Sequence, residues 1–168
     1  MYLPFDEIDF DSRIWIYQTD RVLTSEEVAT LTEMLKSVLN GWEAHGKALT
    51  ASGKVFHNRF VVIAVDESQE MPSGCSIDKS VNWLKQIGSE MQINFFDRSP
   101  AWLDEAGVVH SVALSEVKQA IKDDLITERT TVFDNLVQTK AQWMNRWKIA
   151  ASNSWMKKHF NQTPSETI

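Results

Sequence analysis

The sequence has a single cysteine among its 168 residues, so no disulfide can form within the chain. Long hydrophobic runs are also missing, and no stretch reaches the roughly 18 apolar residues that a membrane-spanning helix needs. The first residues, MYLPFDEIDFDSR, are acidic and do not have the basic-then-apolar layout of a signal peptide. We therefore expect a cytoplasmic protein without a membrane partner.

Positive charge is in deficit, with 17 Lys and Arg against 23 Asp and Glu, and the net charge is −6. This balance argues against nucleic acid as a partner of the whole protein. Tryptophan, in contrast, is plentiful, and its large ring removes much area from water. We expect most of the seven to anchor cores: Trp15, Trp42, Trp83, Trp102, Trp143, Trp147 and Trp155.

Residues 1–98 carry alternating strand and helix patterns. Thr24 and Glu27 have the spacing of a capping box and begin an amphipathic helix that ends near Gly41. His57-Asn58 is typical of a tight hairpin turn. The predicted elements are strand 13–18, helix 25–40, two strands flanking His57-Asn58, helix 76–91 and strand 93–96. The order β-α-β-β-α-β predicts an α+β fold of the ferredoxin-like kind for residues 1–98.

Residues 99–168 are predicted to form a second, smaller α+β part with a helical C-terminus. The break DRSP (97–100) marks the boundary, and a hairpin is expected around DEAG (104–107). A short helix is expected in 115–124 and a strand in 130–137. Thr139 and Gln142 have the spacing that begins a further helix. The polar tail NQTPSETI (161–168) is expected to be frayed.

The segment GWEAHGKA (41–48) differs by one residue from a phosphate-binding loop, because Ala48 stands where the pattern requires Ser or Thr. A phosphate loop needs a strand before it and a helix after it. Here a helix enters and a strand follows, and the next apolar strand begins near Phe60, which leaves no room for the loop's helix. The segment is therefore interpreted as a helix end followed by a strand, and not as part of an ABC-type ATPase.

Cys75, in PSGCSIDKS (72–80), is the alternative candidate for catalysis. It lies at a helix N-terminus, where backbone amides favour a thiolate, and His45 could act as its base. Asp78, one turn into the helix, opposes a second negative charge. The competing interpretation is a small buried thiol in a helix capped by Ser76.

Other site chemistries receive less support from the sequence. The four histidines are far apart and none pairs with another at helical spacing, so no metal and no cofactor is expected. Arg59 is a candidate for a buried ion pair with Asp97 or Asp66. From 135 to 165 there are five basic residues and no acid. Trp143 and Trp147 are four apart, so we expect both on one face of a helix whose Lys and Arg side chains are solvated.

Two resemblances accompany these patterns. The strings RIWIYQ, WEAHG, NRF, AVDES, SGCSID, FFDR and TTVFDNLV resemble a small bacterial family of uncharacterised proteins sometimes labelled "ABC transporter ATPase". The stretch VALSEVKQAIKDDLITERTTVF, with a closing Trp, is similar to GYF-like (GYF_2) modules over residues 101 to about 155. Phe133 stands where those modules usually have Trp. This likeness implies a peptide-binding surface made by the hairpin and the helix.

The leading hypothesis is a non-enzymatic cytoplasmic adaptor or regulatory protein that binds another protein or a peptide. The candidate partner-binding residues are Trp102, Phe133, Trp143 and Trp147. The alternative hypothesis is a thiol-dependent enzyme or redox sensor that uses Cys75, His45 and Asp78. A homodimer is compatible with either hypothesis.

Overall fold

The computed structural model describes residues 1–160, so the predicted frayed tail (161–168) lies outside the described part. The chain is a mixed α+β protein with antiparallel sheets, which confirms the predicted class. No helix in residues 1–160 is long and apolar enough to cross a bilayer. In chain order the elements are β1 (Arg13–Gln18), α1 (Ser25–Asn40), β2 (Glu43–Ala44), β3 (Lys47–Ala48), β4 (Ala51–Phe56), β5 (Phe60–Val65), α2 (Gly74–Met91), β6 (Ala101–Leu103), β7 (Val109–Ser111), α3 (Val117–Lys122), β8 (Thr131–Phe133), α4 (Lys140–Arg146), β9 (Lys148–Ala150) and α5 (Lys157–Phe160).

The chain divides into two compact units. Unit 1 comprises Met1–Asp97 together with Leu136–Met144, and unit 2 comprises Arg98–Asn135 and, of the described residues that follow, 145–160. The first break coincides with the DRSP segment. Leu136–Met144 falls in the predicted second part, 99–168, whereas the structure places this segment in unit 1.

The sheet of unit 1 has three antiparallel strands in the order β1-β5-β4. All six residues of β5 are buried, as predicted for a central strand that is covered on both faces. His57 and Asn58 have φ values of 53° and 55° and form the tight turn between β4 and β5 that was predicted. The hairpin register pairs Phe56 with Phe60.

The strand predicted at 93–96 does not form. Phe96 makes one isolated parallel bridge with Gln18, at one end of β1. Two amides of the segment are bonded to side chains instead. The Asp20 carboxylate accepts from Asn94 N, and the Asn94 side chain accepts from Phe96 N. At the other end of β1, Gln138 O accepts from Ile14 N at 2.9 Å. Two short segments thus occupy the edge of β1 where a fourth strand was expected.

Helices α1 and α2 of unit 1 both begin with reciprocal caps. Thr24 and Glu27 form the predicted capping box of α1, whose Leu31, Leu35 and Leu39 are buried. Helix α2 is capped by Ser73, with Ser76 as the reciprocal partner, so the prediction of Ser76 as the cap is wrong by one turn. The stripe of α1 continues into Trp42, which is fully buried and donates from Nε1 to Ser76 O at 2.9 Å.

Unit 2 is built on a four-stranded sheet in the order β7-β6-β8-β9. The hairpin β6-β7 turns through Gly107, whose φ of 84° is strained for any residue with a Cβ atom. Its core lies between the sheet, α3 and the segment around Met156. The buried members are Trp102, Val117, Ala120, Ile126, Val132, Ala151 and Met156.

Candidate functional site

An open cleft of about 750 Å³ lies in unit 2, between the hairpin β6-β7 and the segment that links α3 to β8. Its volume falls within the range of about 300–1,000 Å³ typical of ligand sites. The hairpin wall consists of Trp102, Leu103, Asp104, Glu105, His110 and Ser111. The opposite wall consists of Asp124, Leu125, Thr127, Arg129, Thr130 and Thr131.

Asp104 is the most fully bonded group of the hairpin wall. Its Oδ1 accepts from the backbone N of Ala106 and of Val108, at 2.9 Å in both cases. Its Oδ2 lies 2.6 Å from His110 Nε2. The hydrogen bond from His110, followed by the one from Val108 N, lowers the pKa of Asp104 below its ordinary value. Asp104 is therefore a fixed carboxylate at neutral pH.

The aromatic part of the cleft is a stacked pair of rings. Trp102 and His110 are direct partners across β6 and β7, and their ring centroids are 5.6 Å apart with planes at 26°. Trp102 is 5% exposed and belongs to the core of unit 2, whereas the side chain of His110 is 46% exposed. The polar imidazole of His110 is thus accessible at the cleft surface, and the buried indole of Trp102 supports it from below.

Besides the charged Asp124 and Arg129, the opposite wall presents apolar and hydroxyl groups. Ile126 is fully buried, and the preceding Leu125 is 57% exposed. A local turn orders the following residues, because Thr127 N donates to Thr130 Oγ1 at 2.8 Å and Thr130 N donates to Thr127 O at 3.1 Å. An exposed leucine beside ordered hydroxyl groups can contact both the side chains and the backbone of a bound segment.

The structure separates the four predicted partner-binding aromatics. Trp102 lines the cleft. Its partner on β8 is Val132, so the adjacent Phe133 points to the other face of the sheet. There the ring of Phe133 lies 5.0 Å from that of Trp147, which is 1% exposed and donates from Nε1 to Asn135 Oδ1 at 2.9 Å.

The prediction that Trp143 and Trp147 share one helix face is wrong. Helix α4 ends at Arg146, so Trp147 lies beyond it. Trp143 packs in unit 1, with its ring 5.1 Å from that of Phe5 and 4.8 Å from that of Phe56. The expectation of solvated basic residues fails at Lys140, which is 4% exposed.

The residues of the thiol hypothesis are all exposed. Cys75 and Asp78 lie in the first turns of α2, and His45 is in the turn between β2 and β3. Within residues 1–160 no hydrogen bond or ion pair joins Cys75 to His45 or to Asp78. The interpretation of Cys75 as a buried thiol is wrong, because its side chain is exposed. The first buried residue of the helix is the next one, Ser76.

The segment GWEAHGKA has the predicted helix end, followed by a small hairpin. Gly41 caps α1, and β2 and β3 pair through a turn at His45 and Gly46, whose φ values are 52° and 76°. Among the described residues no group of three His, Cys, Asp or Glu side chains could hold a metal ion. The predicted ion pair between Arg59 and Asp97 is present, at 3.5 Å.

Most of the cleft residues were not identified from the sequence, although one sequence pattern predicts part of the hairpin wall. A hairpin closed at residues 104–107 pairs Trp102 with His110, and it brings Asp104 back to His110 across the turn. The wall formed by Leu125 and the threonine turn has no comparable pattern, because its shape depends on the burial of Ile126 in a tertiary core.

Comparison of the chain with known proteins gives no match to any family model, to any curated protein or to any solved structure. Function therefore has to follow from the geometry of the chain itself.

Proposed function

We propose that this chain is a non-enzymatic adaptor or regulatory protein that binds a peptide segment of another protein in the cleft of unit 2. The observation that carries the proposal is the pairing of a fixed aromatic base, Trp102 with His110, with the exposed Leu125 on the opposite wall. Peptide and protein sites combine a rigid aromatic anchor with surrounding polar groups that set orientation.

The order of elements in unit 2 is compatible with the GYF-like interpretation. Hairpin β6-β7 is followed by α3 and then by β8, and the cleft lies against that hairpin. On this proposal Trp102 acts at the site, whereas Phe133 and Trp147 support the sheet from its other face. Unit 1 would serve as a ferredoxin-like framework, and the protein would act in the cytoplasm.

Site-specific photocrosslinking in a lysate of the source cells tests the proposal. A photoreactive residue at Leu125 should capture a discrete protein partner, since this side chain is 57% exposed and lines the cleft. The matched control is Leu114, which is 68% exposed in the same unit but does not line the cleft. Equal capture at both positions, or no discrete product at either, would contradict the proposal.

A second measurement uses surface variants, because truncation of the buried Trp102 would also disturb the core. Leu125→Asp places a charge where we expect an apolar contact and should weaken binding of the captured partner by about tenfold or more. Leu114→Asp introduces the same charge outside the cleft and should leave the affinity unchanged. Circular dichroism of both variants verifies that the fold is retained.

A further inference from the structure

Trp155 is the one exposed tryptophan of the seven, all of which lie in the described part of the chain. It is 47% exposed, and it precedes Met156, which is 1% exposed and buried in the core of unit 2. An exposed indole is costly to leave in water, and Trp is enriched among residues that dominate interface energetics.

The position of Trp155 is fixed by bonds on both sides of it. Ser154 Oγ donates to Ala151 O at 2.7 Å, and Met156 N donates to Ser154 Oγ at 3.1 Å. The short helix α5 follows at once, and Phe160 at its end packs against the same core as Met156. Trp155 is therefore presented on an ordered part of the surface.

Basic side chains lie beside this indole and act on the adjacent His159. Lys158 of α5 has its Nζ 5.9 Å from the centre of the Trp155 ring, and the ring of His159 lies 6.1 Å from it. Burial, then the charges of Lys158 and of Lys118 on α3, lower the pKa of His159. Lys118 is thus a second basic side chain that acts on His159, and it belongs to a different helix.

Nothing acidic in the neighbouring sequence offsets these charges. Residues 135–160 contain five Lys and Arg and no Asp or Glu, although the whole chain carries −6. Like charges in proximity repel one another, and an anionic ligand relieves that repulsion. None of these patch residues lines the cleft.

We propose that Trp155, Lys158, His159 and Lys118 form a docking surface for an acidic peptide segment with an apolar side chain. Trp155 receives the apolar side chain, and the two lysines pair with carboxylates. This surface shares no residue with the cleft, so either proposal can fail without the other.

Fluorescence polarisation with labelled peptides tests the docking surface on the full chain. The probe is a short peptide rich in Asp and Glu with a central Phe, and its control has the acids replaced by Asn and Gln. The acidic peptide should bind at least about tenfold more tightly, and its affinity should fall between 50 and 200 mM salt. An oligothymidylate of equal charge separates a peptide site from a nucleic-acid site.

Three variants assign the binding to the surface. Trp155→Ala and Lys158→Glu should each weaken the acidic peptide by about tenfold or more. Lys79→Glu makes the same charge change at an exposed position on α2 of unit 1 and should have a small effect. The proposal is overturned by equal binding of both peptides, by tighter binding of the oligothymidylate, by absence of binding, or by an unchanged affinity in Lys158→Glu.

Discussion

The imidazole of His110 lies against the indole of Trp102, with ring centroids 5.6 Å apart and an angle of 26° between the planes. The two residues are direct partners on neighbouring strands, so the stack follows from the register of the hairpin. His110 is held from a second side by Asp104, at 2.6 Å. The orientation of the imidazole at the cleft therefore depends on the ionisation of Asp104.

The first prediction concerns the titration of Asp104. Its carboxylate should titrate below the ordinary range for Asp, because His110 Nε2 and two backbone amides bond to the ionised form. A lowered folded-state pKa stabilises the fold above the ordinary pKa, and that contribution is lost as the pH falls through the folded value. Carboxyl chemical shifts followed by NMR against pH measure the midpoint.

His110→Ala is the variant that separates the sources of this shift. It removes the largest cause, so the pKa of Asp104 should rise, yet it should remain lowered because Val108 N and Ala106 N still donate. Identical midpoints in the wild type and in His110→Ala would show that the ring does not bond to the carboxylate in solution.

The second prediction concerns Lys140, whose side chain is buried. In the described structure its Nζ contacts two backbone carbonyls and two aromatic rings. Its Nζ donates to Phe5 O and to Ile8 O at 2.7 Å, and it lies 5.2 Å from the centre of the Phe10 ring. Lys140→Met leaves two buried carbonyls without this donor and should lower the free energy of unfolding by about 3 kcal/mol. Urea denaturation measures the loss.

Lys79→Met is the matched control for Lys140, because Lys79 is exposed on α2. Exposed substitutions usually change stability by less than about 0.5 kcal/mol. A loss in Lys140→Met no larger than in the control would mean that Lys140 does not hold the first residues of the chain.

The parts of the fold that could be predicted are those with local physical causes. The Thr24–Glu27 capping box and the His57-Asn58 turn depend on residues three or fewer positions apart, and both are present. The hairpin around residues 104–107 belongs to the same class. Such features can be predicted from the sequence because their geometry depends on neighbouring residues and not on tertiary contacts.

The features that could not be predicted depend on contacts between distant parts of the chain. Lys140 reaches Phe5 across 135 positions, and a lysine in a basic stretch carries no sign that it will be buried. The edge of β1 is shared by Phe96 and Thr139 instead of being paired with a continuous strand. The hairpin wall of the cleft could be predicted from the sequence. The exposure of Leu125 could not, because it depends on the tertiary burial of Ile126.

The third prediction compares two glycines of α2. A Cβ atom at Gly88 would lie 2.4 Å from Ile93 O, a backbone atom, where the chain leaves the helix. Gly88→Ala should therefore destabilise unit 1, by more than about 1 kcal/mol. At Gly74, the first residue of α2, a Cβ atom meets nothing within 4 Å.

Gly74→Ala should accordingly be neutral or slightly stabilising, since Ala loses less backbone entropy than Gly in a helix. Thermal denaturation of the two variants under one buffer gives the comparison. Equal melting temperatures would show that the chain after α2 shifts to accept the methyl group at Gly88.

The last prediction concerns the electrostatics of the Trp155 surface without any ligand. His159 should titrate below the ordinary range for His, because burial and the charges of Lys158 and Lys118 disfavour its protonated form. Since the unfolded chain binds this proton more readily, stability gained from the neutral ring is present above the ordinary pKa of His. It is lost as the pH falls towards the lowered folded-state value.

Lys118→Gln removes one nearby positive charge on a different helix and should raise the pKa of His159, whereas Lys79→Gln in unit 1 should not. Imidazole proton shifts measured by NMR between pH 4 and pH 8 follow both effects. A midpoint that is insensitive to Lys118→Gln would show that α3 does not contribute to the basic surface.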